Sequence, residues 1–343
     1  MTLRSEPVMR FGLPGGRGEL DATSPESKIV QARTADELGY DCLWFSEEHF
    51  SAAGTAAAWV PSSPIVQAAA VAASTSRVRL GFSALSLRLH NPVRLAEDIA
   101  TLDVLSGGRV NLGISWAGGE YAEAFGGCGG TDQTLQHRLD AMIGYWTGRR
   151  IEIEGADFQL TPVPRQDPHP PIYLTGHTDE TIIWAAQRGY ALIQPAIQSP
   201  ASLRHCLRLF SAHGGEVTRS PVERFCFVAE SDALAREQAW PLVVELAQRL
   251  RRNAAGAATH PLTSDDDLEP ERFYQETAIV GGPETVTRRI AALRAEHGVH
   301  YVNLRPSLSG LCPLSLQRIT VALFAAEVIP ALVALPDRRG LHE

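Results

Sequence analysis

The chain has 343 residues, of which 44% are hydrophobic and 20% charged, so it is long enough to bury the large core of a globular protein. Its net charge of −8 and its scattered arginines argue against nucleic acid or an anionic membrane as the main partner. The five cysteines include no CxxC pair and no apolar run reaches about 18 residues, which predicts a cytoplasmic enzyme without a zinc ribbon or a membrane anchor.

Short apolar strands alternate with longer amphipathic helices along the chain. Proline and glycine mark helix ends, as at Pro25 and Gly39. The predicted strands are residues 8–13, 42–45, 78–82, 110–114, 172–175, 191–194, 224–229 and 301–304. The predicted helices are residues 24–39, 63–73, 93–105, 133–146, 179–188, 201–213, 233–252, 281–298 and 314–332.

Two segments interrupt this alternation. Residues 150–170 combine period-two alternation, a glycine turn and several prolines, which predicts a small hairpin or lid inserted into the main fold. Residues 253–276 are small, polar and acidic in the middle, so we expect a mobile segment with too few apolar residues to pack. This second segment is either a lid over the strand ends or an ordinary disordered loop.

Strands that alternate with helices predict parallel pairing through right-handed crossovers. Eight such units match a single α/β domain over residues 1–343, a (β/α)8 TIM barrel with the two insertions. The alternative is an open doubly wound sheet, but "GLPGGRGEL" after the first strand lacks the GxGxxG spacing typical of that fold. A barrel concentrates its chemistry at the carboxyl ends of its strands, and "WFSEEHF", residues 44–50, lies at such an end.

Several separated stretches resemble the bacterial-luciferase-like flavin-dependent monooxygenases, in the family's order. They are "LGYDCLWFSEEHF", "NPVRLAEDIATLDVLSGGRVNLGIS", "PPIYLTGHTDETIIWAAQRGY" and "AIVGGPETVTRRIAAL", and the resemblance covers about residues 9–305. It implies a luciferase-like (β/α)8 barrel that uses reduced FMN, or the deazaflavin F420, as a diffusible cofactor. It also implies a homodimer.

The resemblance further implies individual flavin-binding residues. A non-prolyl cis peptide under the isoalloxazine ring falls on Ser83–Ala84, and a phosphate-binding arginine falls on Arg138. The flavin phosphate falls on the loop "LTGHTDET" after the fifth strand, at Gly176, His177, Thr178 and Thr181. Elementary physical chemistry agrees, because a glycine lets the backbone approach the ligand and a helix N-terminus attracts anions.

Three positions depart from the family pattern. The family's catalytic histidine falls on Glu48, its reactive cysteine on Ser115 and a second phosphate-binding arginine on Trp116. We predict that Glu48 and His49 form a proton-transfer pair over the flavin, and that Ser115 donates a hydrogen bond there. The departures argue against light emission and aldehyde specificity.

Each assignment has a structural alternative. Glu47 or Glu48 could serve only to hydrogen-bond the loop, or the pair could bind a metal, although no further Asp or His cluster completes a metal site. Trp116 could be a core residue. His90 could contact flavin or substrate, or cap the helix that follows it. Arg138 could form a salt bridge on the surface of its helix.

The leading hypothesis is a two-component monooxygenase. A separate flavin reductase would supply FMNH₂, dioxygen would add at the flavin C4a, and the (hydro)peroxide would oxygenate a small or medium organic substrate. One alternative is an F420-dependent oxidoreductase that transfers hydride on the same barrel. Another is a weakly active flavin-binding partner subunit. The sequence does not identify the substrate.

Overall fold

Most of the predicted elements form in the computed structural model, which describes residues 8–15, 25–49, 63–116, 121–126, 132–254, 263–308 and 310–335. The strands are β1 (Arg10–Pro14), β2 (Cys42–Phe45), β3 (Arg79–Phe82), β4 (Leu85–Ser86), β5 (Val110–Ser115), β6 (Ile151–Ile153), β7 (Ala156–Phe158), β8 (Ile172–Thr175), β9 (Ala191–Leu192), β10 (Val222–Val228), β11 (Ile279–Gly281) and β12 (Tyr301–Arg305). The helices are α1 (Pro25–Glu37), α2 (Pro64–Ser74), α3 (Pro92–Ser106), α4 (Asp132–Trp146), α5 (Asp179–Gln187), α6 (Pro200–Ala212), α7 (Asp232–Ala254), α8 (Pro270–Arg272), α9 (Pro283–His297), α10 (Leu314–Leu323) and α11 (Ile329–Ala334).

The long strands form one parallel sheet that curls. Its order follows the chain, β1-β2-β3-β5-β8-β9, and the last strand, β12, lies on the other side of β1. Beyond β12 comes β10, and an isolated parallel bridge joins Val222 of β10 to Gln194, just after β9. The two ends of the strand series therefore approach each other.

The two faces of the sheet bury different side chains because neighbours along a strand point to opposite faces. One face packs against the helices and carries aliphatic side chains such as Leu43 and Leu80. The other carries Trp44, whose Nε1 donates a hydrogen bond of 3.3 Å to the hydroxyl of Tyr301. The indole fits because Gly81 lies against it, where a Cβ atom would come within 2.5 Å of the ring. A packed aromatic layer thus lies inside the curl.

The predicted hairpin insertion is confirmed. Strands β6 and β7 pair antiparallel, and Glu154 and Gly155 in the turn between them have positive φ angles of 51° and 77°. Two short strands, β4 and β11, were not predicted. Strand β11 is only three residues long, and its sequence, "IVG", continues directly into the glycine and proline that begin α9, so the sequence indicated a helix start there.

The prediction for the second insertion is wrong for the part of it that the structure describes, from residue 263 onwards. Leu268, Phe273 and Tyr274 are only 3%, 2% and 7% exposed. Phe273 and Tyr274 pack with the apolar face of α7, where the Tyr274 ring lies 6.0 Å from the ring of Trp240. The segment contains few apolar residues, but these are large and meet one helix face, so they suffice to pack it. Residues 255–262 lie outside the described residues.

Residues 314–334 are, within the described ranges, the one helical stretch long and apolar enough to cross a membrane, with a mean hydropathy of 1.6. Part of this stretch belongs to the core of the fold. Phe324, Val328 and Leu332 are fully buried, and the Thr320 hydroxyl makes two hydrogen bonds of 3.2 Å with the backbone of Val228 in β10. Core helices of globular proteins commonly have this composition. The cytoplasmic location stays a prediction.

Candidate active site

The predicted site residues follow strands that are neighbours in the sheet. Ser86 of β4 pairs with Ser115 of β5, and Ser115 pairs in turn with Thr175 of β8. The backbone N–H of Ser83 donates to the carbonyl of Phe45 at the end of β2 over 2.9 Å. Because all these strands are parallel, their carboxyl ends meet at one edge of the sheet. The register therefore gathers positions that are far apart in the sequence.

A buried carboxylate lies at the β2 end of this edge. Glu47 Oε2 accepts the backbone N–H of Ser86 over 2.7 Å, and Oε1 lies 2.8 Å from Nε2 of His90 and 3.3 Å from Nε2 of His49. The Glu47 side chain is only 3% exposed, against 11% for His49 and 25% for His90. We call Glu47, His49 and His90 the carboxylate side of the site.

The ionisation of Glu47 follows from these contacts. Burial alone would raise the pKa of its carboxyl group, because a charge is poorly solvated there. The hydrogen bond and charge of His90, the Ser86 N–H and the charge of His49 act in the opposite direction and outweigh burial, so the pKa lies below the ordinary glutamate value. Glu47 is therefore anionic at neutral pH and holds both imidazoles by charge-assisted contacts.

Of the predicted pair, the structure brings His49 to the carboxylate side and leaves Glu48 exposed. The His49 ring also lies 4.4 Å from the ring of Phe125 and 6.5 Å from that of Tyr121. The catalytic role of Glu48 stays a prediction. In the part of the chain that the structure describes, no three His, Cys, Asp or Glu side chains are arranged to hold a metal ion.

Sequence reasoning did not find that His90 binds Glu47. Its alternative as a helix cap is wrong, because Asn91 caps α3 by accepting the N–H groups of Val93 and Arg94 over 2.9 and 3.2 Å. Asparagine before proline is a common helix start, so that signal was present in "HNP". Because Asn91 is the cap, His90 is a polar side chain at a strand end without a capping role. This placement was the signal in the sequence that identifies His90 as a candidate site residue.

The peptide bond between Ser83 and Ala84 is cis, as the resemblance implied. The Ser83 hydroxyl is buried and has no hydrogen-bond partner among the described residues, and the same is true of Nε1 of Trp116. Buried polar atoms normally have partners, so two of them near one strand edge indicate that a polar ligand belongs there. Trp116 also packs against the helix-side core, with its ring 5.9 Å from Trp184, so its alternative as a core residue is supported as well.

Two arginines hold the segment that follows the cis peptide. Arg138 Nη1 of α4 donates to the carbonyl of Leu87 over 3.2 Å, and Arg88 Nε donates to the carbonyl of Trp116 over 2.6 Å. Arg138 therefore reaches the strand ends. Among the described residues it forms no salt bridge on the surface of its helix, which was the alternative. Arg88, in the turn after β4, was not predicted, since nothing in the sequence distinguishes it from the other arginines.

The predicted phosphate loop forms at the other end of this edge, after β8. Thr178 caps α5, because its hydroxyl accepts the N–H of Thr181 over 3.3 Å and lies 3.1 Å from the Thr181 hydroxyl. Gly176 is required here, since a Cβ atom would lie 2.3 Å from Cγ2 of Thr181. His177 between them is half-buried. We call Gly176, Thr178 and Thr181 the hydroxyl side of the site.

These groups fit a flavin or deazaflavin phosphate ester. The hydroxyl side offers two hydroxyl groups and the unpaired N–H groups of a helix N-terminus, which bind phosphate. The unpartnered Ser83 hydroxyl lies between this loop and the carboxylate side, where it could serve a heteroatom of a ring. The flavin-binding roles of Ser83, Ala84, Ser115, Arg138 and the hydroxyl side stay predictions.

The profile of the luciferase-like monooxygenase family matches residues 9–301 of the chain. The alkanal monooxygenase alpha chain of Photorhabdus laumondii is 29% identical over 186 residues, which is 51% of this chain and 50% of that protein. The chain spans about half the length of curated relatives that it matches.

Two solved structures share the fold over nearly the whole chain. The oxygenating constituent of 3,6-diketocamphane monooxygenase from Pseudomonas putida, a type II Baeyer-Villiger enzyme in complex with FMN, has a TM-score of 0.71 at 21% identity, and the match covers 96% of this chain and 100% of that one. The coenzyme F420 dependent tetrahydromethanopterin reductase of Methanopyrus kandleri has a TM-score of 0.67 at 18% identity, covering 95% and 99%. Identities this low show a common fold and do not choose between the two cofactors.

Proposed function

Because the chain belongs to the luciferase-like monooxygenase family, we propose that it uses reduced FMN and O₂ to oxygenate a small or medium organic substrate. The observation that carries this proposal is the buried, unpartnered Ser83 hydroxyl at the cis peptide, between the carboxylate side and the hydroxyl side. When bound there, reduced FMN would supply the electrons that activate dioxygen. The residues of the chain itself would bind the flavin, exclude water and control protons.

The hydroxyl side would hold the flavin phosphate. The hydroxyl of Thr178 lies at the N-terminus of α5, whose first N–H groups attract an anion without a charged side chain. Arg138 would add the positive charge, because its guanidinium already extends to the strand ends at Leu87. Four of its five N–H donors remain for a phosphate.

The carboxylate side would control protons at the ring of the flavin. Glu47 is a positioning residue in this proposal, because it acts through the imidazoles that it holds. Nε2 of each imidazole faces Glu47, so the other ring nitrogen, Nδ1, would be the one that exchanges a proton with a ligand. The predicted proton-transfer function is therefore kept, with Glu47 rather than the exposed Glu48 as the carboxylate that supports it.

FMN is favoured over F420 by the charge around the hydroxyl side. Asp179 and Glu180 form the first turn of α5 and are exposed, and Asp179 pairs with His205 over 2.8 Å. Carboxylates there would repel the polyglutamate tail of F420, whereas the shorter FMN ends at its phosphate. The arginine that the family often carries at Trp116 is also absent, which removes a cation that such a tail would need.

The remaining features of the proposal are an eight-stranded barrel closed at the bridge between Gln194 and Val222, a homodimer and a separate flavin reductase. The bridge supports closure because it continues the strand series β1-β2-β3-β5-β8-β9 to β10 and β12. A separate reductase is supported by the sequence after β1, which has no GxGxxG turn for a nicotinamide dinucleotide.

Anaerobic titrations with reduced FMN and reduced F420, side by side, test this proposal. We expect reduced FMN to bind at micromolar concentration and F420 at least tenfold more weakly, and we expect the FMN complex to consume O₂ when it is mixed with oxygenated buffer. Preferred binding of F420 with hydride transfer to an alcohol or an imine would establish the alternative oxidoreductase. Failure of both cofactors to bind at high micromolar concentration would overturn the proposal.

A further inference from the structure

A second cavity lies away from the strand ends described above. It measures about 280 Å³ and is enclosed by the start of α6, the end of α9 and the turn that precedes β11. None of the residues of the carboxylate side or the hydroxyl side lines it. Its wall includes three arginines, Arg204 from α6, Arg224 from β10 and Arg289 from α9. Three guanidinium groups therefore lie around one small cavity.

Arg224 is the most unusual of the three, because its side chain is only 3% exposed. Its Nη1 donates to the carbonyls of Glu223 and Pro195 over 2.8 and 3.3 Å. No carboxylate in the described part of the chain forms an ion pair with it, and burial lowers the pKa of its guanidinium to about 10. The charge of Glu223 offsets only part of the effect of burial, and a buried cation that is incompletely compensated is unfavourable. Arg224 lines the cavity.

Arg289 repeats this pattern on the opposite wall. Its guanidinium donates to the backbone carbonyls of Tyr274 and Gln275, the latter over 2.5 Å, and burial lowers its pKa. Backbone carbonyls orient a guanidinium without neutralising it. Arg204, one turn into α6, is exposed and makes no ion pair with a described carboxylate. Backbone carbonyls thus hold Arg224 and Arg289 in place, and Arg204 adds a third positive charge to the wall of the cavity.

The acidic residues in the wall have other partners. Glu276 Oε2 accepts a hydrogen bond from Nε of Arg272 over 3.2 Å, and Glu296 lies 3.7 Å from Nε2 of His297 with 65% of its side chain exposed. Burial lowers the pKa of His297, Glu296 acts in the opposite direction, and the charges of Arg204 and Arg224 lower it further. The wall thus carries three arginines against two carboxylates, of which one is paired with Arg272 and the other is mostly exposed, so positive charge predominates.

We propose that this cavity is a binding site for a small oxyanion, the phosphate or carboxylate group of a metabolite, separate from the flavin site. Guanidinium groups bind such oxyanions through paired N–H donors, and Arg224 and Arg289 are already held in place by backbone carbonyls. At about 280 Å³ the cavity is below the usual size of a drug-like pocket, so it admits inorganic phosphate, a small phosphate ester or a short dicarboxylate.

Calorimetric titration of the full chain at low ionic strength tests the site, with inorganic phosphate in one series and malonate in another. The flavin site can also take phosphate, so the two sites must be separated by variants. Arg204→Gln changes an exposed residue of the cavity wall, Arg138→Gln changes the flavin-phosphate arginine, and Arg33→Gln on the exposed face of α1 is the matched control for loss of one surface charge.

We expect an oxyanion to bind the wild type and the Arg138→Gln and Arg33→Gln variants equally at this site, and to bind Arg204→Gln about tenfold more weakly. Tighter binding of phosphate or of malonate identifies the oxyanion, and either result supports the site. Two results overturn it: no binding of either anion at millimolar concentration in Arg138→Gln, or binding that Arg204→Gln and a second variant, Arg289→Gln, leave unchanged.

Discussion

The carboxylate side and the hydroxyl side lie on the same sheet edge, yet they are built in opposite ways. The first concentrates charge: Glu47 is a buried anion that two imidazoles and one backbone N–H surround. The second consists of a glycine and two threonine hydroxyl groups at the N-terminus of α5, and the charged Asp179 and Glu180 beside it are exposed. One side is built around a buried charge, and the other around neutral polar groups.

This difference separates two tasks that a flavin enzyme must combine. Proton transfer needs groups whose protonation can change during turnover, whereas retention of the cofactor must not depend on that change. The paired row Ser86, Ser115 and Thr175 joins the two sides, and they have no residue in common, so a substitution on one side should leave the other intact. Four predictions test this separation, from the largest expected effect to the smallest.

Glu47→Gln should slow proton-dependent chemistry about 100-fold and change flavin affinity less than about threefold. The amide keeps the shape of the side chain but removes the negative charge that faces the two imidazoles. The measurement is the rate of hydrogen peroxide release after O₂ meets the reduced FMN complex, followed across pH 5–9, together with FMN titration. An equal loss of affinity and rate would mean that Glu47 only supports the fold.

Gly176→Ala should weaken FMN binding about tenfold and leave peroxide release from the saturated complex unchanged. Its Cβ atom would lie 2.3 Å from Cγ2 of Thr181, so the loop must shift. The double variant Gly176→Ala with Thr181→Ser removes that methyl group and should recover most of the affinity. If the double variant binds no better than the single one, close approach of the backbone is not the reason for the glycine.

The contribution of the Glu47 cluster to stability should disappear in acid. The folded-state pKa of Glu47 lies below its unfolded value near 4.5, so its stabilisation is fully present above that value and is lost as the pH falls through the lower, folded pKa. Removing hydrogen bonds to a charged group costs about 1–3 kcal/mol. The difference in unfolding free energy between the wild type and Glu47→Gln should therefore be about that size at pH 6 and shrink below pH 4.5. A difference that is constant from pH 3 to 7 would contradict the ionised cluster.

Glu48→Gln should have the smallest effect, within about twofold on both flavin affinity and peroxide release. Glu48 is exposed, whereas its neighbour Glu47 is 3% exposed, so the pair is a control matched in charge and position. The same titrations and the same peroxide assay apply. A loss near 100-fold here, with little change in Glu47→Gln, would restore Glu48 as the carboxylate of the proton-transfer pair.

Local signals in the sequence predicted the alternation of strands and helices and the cap of α5. Thr178 as the cap of α5 and the approximate bounds of most strands depend on neighbours in the chain, so they could be predicted from it. The family resemblance supplied the cis bond at Ser83–Ala84. The curl of the sheet followed from alternation of strands and helices.

The carboxylate side could not be predicted in this way. Alternation along β2 would put Glu48 on the face of Trp44, but the strand ends at Phe45 and the alternation ends with it. Whether Glu47 or Glu48 turns inward then depends on His90, a partner 43 positions away in the chain. The packing of Phe273 similarly depends on α7, since the segment around Phe273 has no hydrophobic periodicity that predicts which side chains are buried.

The paired row of Ser86, Ser115 and Thr175 also bears on how such a protein can diversify. Backbone pairing between parallel strands sets the spacing along this row, whichever side chains occupy it. The distance between the proposed proton-handling groups and the proposed cofactor-binding groups is thus set by the sheet, so most side-chain substitutions should leave it unchanged. New substrates can be accommodated by exchanging loop residues around a constant cofactor, so selection can alter what is oxidised without re-establishing how it is oxidised.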